Sequence, residues 1–193
     1  MKFTVSNIIQ EILYQGWAQL SKYKFTYKNQ DGTTEERSAE VFDRGDGAAI
    51  FLYDPHQKTV LLTRQFRLPT YVNGNADGLL LEVCAGMLDD LDPEEAIKKE
   101  IEEETGYRID QVKKIGQMYT SPGAVTEILH LFTGIYSTKD RVSAGGGSAE
   151  EQEDIQVVEY AFAKAKQLLA KQEIYDAKTL VLLQYAQLNG LLE

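Results

Sequence analysis

The segment DPEEAIKKEIEEETG, residues 92–106, constrains the fold more than any other stretch of the chain. Asp92 is a suitable helix N-cap, Pro93 suits the first helical position, and Glu95 completes a capping box. Gly106 stands where a left-handed residue commonly closes a helix. The sequence therefore predicts a helix across this segment, with both of its ends marked.

The side of this helix that is predicted to face inward carries acidic side chains. On a wheel of 100° per residue, the apolar stripe consists of Ala96, Ile97 and Ile101. Along or beside that stripe lie Glu100, Glu103 and Glu104. An acidic run is commonly a solvated helix face, but like charges at this spacing repel by roughly 0.2–0.5 kcal/mol per pair. Burial raises that cost further. A positive partner is therefore expected: either Arg or Lys in structural ion pairs, or Mg²⁺ or Mn²⁺, which carboxylate oxygens bind well.

The remaining chain divides into an N-terminal β-rich segment, residues 1–45, and a main domain, residues 46–193. Within the N-terminal segment, a turn lies between two alternating runs, which predicts a hairpin that buries little by itself and needs a partner surface. The main domain mixes strands with helices, which predicts an α/β or α+β domain. Its predicted strands are residues 48–53, 59–66, 78–86, 128–136 and 155–162, and its further helices lie near 163–172 and 177–192.

Composition excludes several classes of protein. The 193 residues carry a formal net charge of −10, so a basic footprint for nucleic acid or for an anionic membrane is absent. One cysteine and two histidines exclude a disulfide framework, a cysteine-rich zinc site and a His-rich metal site. There is no apolar run of the ~20 residues that a membrane helix needs, and no signal-peptide pattern. We expect a cytoplasmic protein that binds neither nucleic acid nor membranes.

The residues Gly86-x5-Asp92-x6-Lys99-Glu100-Ile101-Glu102-Glu103-Glu104-Thr105-Gly106-Tyr107 resemble the Nudix box, GX5EX7REUXEEXGU. Two departures occur: Lys99 replaces the usual Arg, and the junction before the helix is one residue short, which puts Asp92 near the usual Glu. By this resemblance the chain is identified as a member of the Nudix hydrolase superfamily. Other stretches resemble its nucleoside-diphosphate-sugar branch, namely EVFDRGDGAAIFLY, RQFRLPTYVNGNADG, EVCAGMLDD, YTSPGAVTEILHLF and AGGGSAEEQEDIQV.

The resemblance implies an α/β/α sandwich around a mixed sheet, with the N-terminal β-rich segment exchanged between the subunits of a homodimer. It also implies Mg²⁺-dependent hydrolysis of the pyrophosphate bond of a nucleoside diphosphate sugar, with Mn²⁺ as a possible substitute. GDP-mannose, cleaved to GMP and mannose 1-phosphate, is the leading substrate. ADP-ribose or another ADP-sugar is the alternative, and a nucleotide-sugar sensor without turnover is a minor one.

The resemblance also assigns residues. Glu151 matches the general base of a loop behind a glycine-rich stretch, and Glu103 is a second catalytic candidate. The candidate metal ligands are Ala85 through its backbone carbonyl, Glu100, Glu103, Glu104 and Glu153. The candidate substrate-binding residues are Trp17, Glu40, Arg67, Ala85, Gly86, Met87, Glu104, Glu127, Glu151 and Lys178.

Plainer interpretations remain for several of these positions. An ordinary solvated acidic loop is the lesser alternative for residues 150–154, and the two-residue spacing of Glu151 and Glu153 allows their roles to be exchanged. Arg67 fits a surface Arg paired with a nearby carboxylate, and a single N-terminal Trp such as Trp17 is more often packing than ligand. Lys99 is expected to pair with an acid near the box.

Overall fold

The computed structural model describes residues 3–150 and 152–193, which form two compact units. The first unit contains residues 3–46 together with Tyr119–Ile128. The second contains Gly47–Met118 together with Leu129–Glu193. The boundary predicted between residues 1–45 and 46–193 stays a prediction.

The first unit is built on an antiparallel sheet of strands β1 (Thr4–Gln15), β2 (Gln19–Lys28) and β3 (Thr34–Asp43), in that order. The predicted hairpin is confirmed as β2 and β3. Strand β1 is not expected from the sequence alone, and its pairing with β2 shows why. Its register shifts twice, between Ser6 and Ile9 and between Ile12 and Tyr14. Such bulges interrupt the two-residue alternation by which strands are recognised.

The described residues of the second unit contain a seven-stranded sheet and four α-helices. The strands are β4 (Gly47–Asp54), β5 (Thr59–Phe66), β6 (Leu79–Glu82), β7 (Cys84–Met87), β8 (Val112–Tyr119), β9 (Ile128–Ile135) and β10 (Gln156–Ala161). The helices are α1 (Leu68–Val72), α2 (Pro93–Glu100), α3 (Phe162–Ala170) and α4 (Ala177–Leu188). No helix among these described residues is both long enough and apolar enough to cross a bilayer.

The sheet is mixed, because β4 pairs in parallel with β9 and antiparallel with β5 and β7. The main strand order is β10-β5-β4-β9-β8, with β6 paired to β5 and β7 paired to β4. The single strand predicted over residues 78–86 is wrong: the chain breaks at Val83 and passes from one neighbour strand to another. The Val83 N–H donates at 2.8 Å to the Thr179 hydroxyl instead of to a strand.

Helices cover both faces of this sheet. On β4, Ala49 and Phe51 pack in one core cluster with residues of α3 and α4. The alternate residues Ile50 and Leu52 pack in a second cluster with Ile97 of α2 and its continuation. Strand β4 is apolar at successive positions because each of its faces meets a helix layer. The α/β/α sandwich implied by the resemblance is therefore confirmed.

The acidic helix begins and ends where the sequence predicts, but it is not regular. The Asp92 carboxylate accepts the Glu94 N–H at 2.9 Å, and Gly106 closes the helix with a φ of 77°. After Glu100, however, the α-helix continues as a π-helical turn, Ile101–Thr105. A π-turn pairs residues five apart, so a wheel of 100° per residue no longer gives the directions of the last glutamates.

The glycine-rich stretch 145–147 lies in the long loop between β9 and β10, and it packs directly on that turn. Gly146 N–H donates to the Glu104 carbonyl at 2.9 Å, and Gly147 N–H donates to the Glu103 carbonyl at 3.0 Å. A Cβ added to Gly145 would lie 2.5 Å from the Glu104 carbonyl oxygen. Gly145 therefore permits a close backbone approach between this segment and the end of the acidic helix.

Candidate active site

Strand β7 forms one side of the candidate site. It pairs Ala85 with Ala49 and Gly86 with Ala48 of the buried strand β4. A Cβ added to Gly86 would lie 2.1 Å from the side-chain carboxyl carbon of Glu100. Glycine at this position lets the Glu100 carboxylate lie directly against the β7 backbone.

Glu104 is the most unusual acid in this site. It is only 2% exposed, and its Oε2 accepts the Ala85 N–H at 3.2 Å. Burial raises the pKa of Glu104 to about 8, a hydrogen bond with Cys84 opposes that rise, and the charges of Glu100 and Glu153 add to it. Among the described residues Glu104 has no ion-pair partner. A buried carboxylate in this situation is costly unless a cation compensates it.

Glu153 reaches the same place from the long loop. The Ser148 N–H donates to Glu153 Oε2 at 3.0 Å, and a Cβ on Gly147 would lie 2.6 Å from that same oxygen. Burial is the main cause of the raised pKa of both Glu104 and the Cys84 thiol, and the charge of Glu153 raises each pKa further. The fold therefore brings together predicted metal-site residues from β7, from the acidic helix and from the loop.

The chemistry of this donor set fits a hard divalent cation. The buried, uncompensated Glu104 and the neighbouring Glu100 and Glu153 supply carboxylate oxygens, which Mg²⁺ and Mn²⁺ prefer. Within residues 3–150 and 152–193, no three His, Cys, Asp or Glu side chains are already arranged as a metal cage. The carboxylates repel one another when no cation lies between them, and the Ala85 N–H holds one oxygen of Glu104. A bound cation would attract the carboxylates and draw them together.

Among the described residues, Glu103 contacts a lysine and not the acids around Glu104. Its Oε2 is 3.2 Å from Lys99 Nζ, one turn earlier, and its side chain is about one-third exposed. The expectation that Lys99 pairs with an acid of the box is thus confirmed. The roles of Glu103 as metal ligand and as catalytic residue stay predictions.

Two predicted substrate-binding cations share one buried acid that the sequence analysis did not single out. Glu82, at the end of β6, contacts Arg67 Nε at 2.8 Å and Lys178 Nζ at 2.5 Å. Lys178 also lies 2.9 Å from Asp176, which precedes α4. The signal that could have revealed Glu82 is its place inside the apolar run GLLLEVCAG, where a charged residue needs partners.

The other predicted substrate contacts divide between the two units. Met87 is half-buried in β7 of the second unit. In the first unit Trp17 is 72% exposed in the turn after β1, and Glu40 is exposed on β3. Glu127 is buried, and its carboxylate contacts Arg44 at 2.5 Å and the Thr120 hydroxyl at 3.2 Å. Glu151 lies outside the described residues, so its role stays a prediction.

We expect the raised pKa of Glu104 to be visible as a pH dependence of stability in metal-free protein. Because the folded-state pKa is about 8 and the ordinary value is 4.5, the stabilising contribution is complete below pH 4.5. It is lost as the pH rises through 8, by an amount on the order of a few kcal/mol. Urea unfolding in EDTA across this range should show a steeper decline in wild type than in Glu104→Gln. An equal decline of the unfolding free energy with pH in the two proteins would contradict the raised pKa of Glu104.

A model of the NUDIX domain matches residues 43–183, well over half of the chain. The chain therefore belongs to the Nudix family, as its box, its sandwich fold and its cluster of acids indicate. A second model, of the GDP-mannose pyrophosphatase NudK N-terminal domain, matches residues 4–42.

Curated relatives match over essentially their full length. A GDP-mannose pyrophosphatase of Yersinia enterocolitica is 49% identical over 193 residues, covering 100% of both chains. That of Klebsiella pneumoniae is 44% identical over 192 residues, covering 100% of this chain and 96% of the relative. That of Yersinia pestis strain Pestoides F is 47% identical over 189 residues, covering 98% and 94%.

Proposed function

We propose that the protein is a Mg²⁺-dependent nucleoside-diphosphate-sugar pyrophosphatase whose substrate is GDP-mannose, which it hydrolyses to GMP and mannose 1-phosphate. The observation that carries the hydrolase assignment is the buried Glu104, uncompensated within the described residues and influenced by Glu100 and Glu153. The substrate assignment is supported by the full-length relatives named GDP-mannose pyrophosphatase.

Glu100, Glu104, Glu153 and the Ala85 carbonyl would hold Mg²⁺, with Mn²⁺ as a substitute. The bound ion would supply charge neutralisation across the phosphates and a lowered pKa of the attacking water. Glu103 is a further candidate ligand on the neighbouring position of the π-turn.

Side chains of the protein would accept the proton and contact the substrate. Glu151 would accept the proton of the attacking water, with Glu103 as the second candidate for that role. The guanidinium of Arg67 suits a phosphate oxygen, and Lys178 adds a second cation. The exposed ring of Trp17 would stack on the base, with Glu40 and Glu127 as further contacts.

A homodimer belongs to this proposal. Strand β1 is an edge strand, and its exposed apolar side chains include Ile8 at 62%, Ile9 at 65% and Ile12 at 53%. Large apolar side chains exposed on an unpaired edge strand favour a protein interface over solvent. A second copy of the chain, exchanging its N-terminal β-rich segment, would cover this surface. We also expect the enzyme to be cytoplasmic.

A substrate panel tests the proposed activity. GDP-mannose, GDP-glucose, ADP-ribose and ADP-glucose are compared at one enzyme concentration with Mg²⁺, and the products are identified by chromatography. We expect the highest kcat/KM for GDP-mannose, with GMP and mannose 1-phosphate as products. Preference for ADP-ribose would move the protein to the ADP-sugar alternative. Binding of GDP-mannose without turnover would identify a sensor instead.

Charged substitutions at two exposed isoleucines of β1 test the dimer. The double variant Ile9→Asp with Ile12→Asp should be monomeric by size-exclusion chromatography with light scattering, because desolvated carboxylates oppose an apolar interface. GDP-mannose turnover should fall on the order of tenfold. The matched control is Leu188→Asp, at a residue that is 86% exposed in the second unit and should leave the dimer intact. A monomeric wild-type protein would rule out the exchange.

A further inference from the structure

The structure holds a buried ion cluster around Glu82 that the hydrolytic chemistry does not explain by itself. The Glu82 side chain is 4% exposed, and its two oxygens have different partners. Oε2 accepts from Arg67 Nε at 2.8 Å, and Oε1 accepts from Lys178 Nζ at 2.5 Å. One rigid carboxylate thereby determines the relative position of two cations from distant regions of the chain.

The Lys178 side of the cluster is anchored to the start of α4. Asp176 Oδ1 accepts from Lys178 Nζ at 2.9 Å. Asp176 Oδ2 accepts from the Thr179 N–H at 2.9 Å and from its hydroxyl at 2.6 Å, so the same carboxylate caps the helix. The Thr179 hydroxyl in turn accepts the Val83 N–H at 2.8 Å. The cluster therefore ties β6, the break before β7 and α4 into one hydrogen-bonded unit.

The Arg67 side of the cluster remains open to solvent. Arg67 contacts Glu82 through Nε, which leaves the two terminal nitrogens of the guanidinium for another acceptor. Its side chain is 39% exposed, against 14% for Lys178. The carboxylate thus restrains the planar guanidinium without occupying its whole donor edge, and a guanidinium restrained in this way suits a phosphate group.

Stability alone is a weak reason for such a cluster. Replacing a buried ion cluster by apolar residues of similar volume is often neutral or stabilising, because desolvation offsets much of the attraction between the charges. The two cations and two carboxylates also balance to no net charge. The cluster therefore does not attract an anion by excess charge, and its distinctive property is the fixed geometry of its donors.

We propose that Glu82 is a positioning residue that holds Arg67 and Lys178 at the separation and orientation in which both bind the anionic portion of the substrate. This inference rests on the proposed function, since it takes Arg67 and Lys178 as substrate contacts. Glu82 itself touches neither the substrate nor the reacting atoms. It acts on substrate affinity and leaves the chemical step to the acids of the metal site.

The variant Glu82→Gln distinguishes a positioning role from simple charge neutralisation, because the two roles predict opposite changes in KM. The amide keeps the shape of the side chain but offers one acceptor oxygen in place of two, so one cation loses its restraint. If Glu82 positions the cations, KM for GDP-mannose should rise at least about fivefold while kcat changes by less than about twofold. If Glu82 only neutralises them, removing its charge should lower KM.

The variant Glu82→Asp supplies a second, independent arm. It retains the charge and withdraws the carboxylate by one methylene group, so positioning predicts a raised KM here too, whereas neutralisation predicts none. The matched control is Glu94→Gln, which removes the acid of another Glu–Lys pair, Glu94 with Lys98 at 2.6 Å, and should leave KM unchanged. Thermal unfolding of each variant shows whether the fold is retained.

Titration of inorganic pyrophosphate in the presence of Mg²⁺, followed by calorimetry, tests the same idea without turnover. The dissociation constant should rise in both Glu82 variants in parallel with KM. An unchanged affinity, a tighter affinity in Glu82→Gln, or a loss confined to kcat would overturn the role of Glu82. Absence of nucleotide-sugar hydrolysis in wild type would overturn the proposed function instead, and the pyrophosphate titration would still decide the role of Glu82.

Discussion

The variant Glu104→Gln should lose activity on the order of 10²-fold or more. The amide preserves the size of the side chain and removes one negative oxygen ligand from the metal site, where a bound ion contributes several kcal/mol of transition-state stabilisation. Initial rates with GDP-mannose over a range of Mg²⁺ concentrations measure the loss. The fold should survive, because the glutamine amide has the size of the carboxyl group and its oxygen can still accept the Ala85 N–H. A neutral side chain also suits a position at which burial raises the pKa of Glu104 to about 8.

A neighbouring glutamate provides the control for this result. Glu102 belongs to the same π-turn but pairs with Arg108 at 2.8 Å, and the pair is largely exposed. Surface pairs of this kind contribute little, so Glu102→Gln should retain activity within about twofold. Near-wild-type turnover in Glu104→Gln would remove the basis for the metal site.

The variants Glu151→Gln and Glu153→Gln should fail in different ways. A general base contributes typically 10²–10⁴-fold through proton transfer, so Glu151→Gln should lower kcat by that order and leave the Mg²⁺ requirement nearly unchanged. Glu153→Gln should raise the Mg²⁺ requirement, with the rate partly restored by excess metal, because it removes a proposed ligand. Profiles of kcat against pH and against Mg²⁺ concentration measure both effects.

The low-pH limb of the kcat profile should disappear only in the Glu151 variant, provided that chemistry limits turnover. The reverse pattern in the two variants would exchange the two roles along residues 150–154. Full activity in both would make this segment an ordinary acidic loop and would leave Glu103 as the first candidate for the base.

Local rules are sufficient where a residue's role depends on its immediate neighbours. Asp92 caps the acidic helix and Gly106 closes it in the left-handed conformation, as their types and positions predict. The hairpin of β2 and β3 follows from alternation around a turn. The wheel alone also marks the carboxylates of Glu100 and Glu104 as inconsistent with an ordinary core stripe.

Local rules fail where backbone geometry departs from a regular period. A wheel of constant angle extends through Glu103 and Glu104, but the helix becomes a π-turn at Ile101, so the side chains leave in other directions. The bulges of β1 conceal a strand of 12 residues in the same way. The glycines at 145, 146 and 147 have reasons that no local pattern shows. A Cβ on Gly145 would meet the Glu104 carbonyl and one on Gly147 would meet Glu153, while Gly146 has a φ of 117°.

The family and the ends of the acidic helix follow from the sequence, because they depend on residue types at short and regular spacings. The candidate site residues come from the resemblance to that family and stay predictions. Tertiary packing settles which of those residues share an environment. Glu82 meets Arg67 and Lys178 across separations of 15 and 96 residues, and Glu127 meets Arg44 across 83. Packing also makes burial, more than any neighbouring charge, the cause of the raised pKa of Glu104. The physical reason is that burial and long-range pairing are properties of packed elements, and no short stretch of sequence contains them.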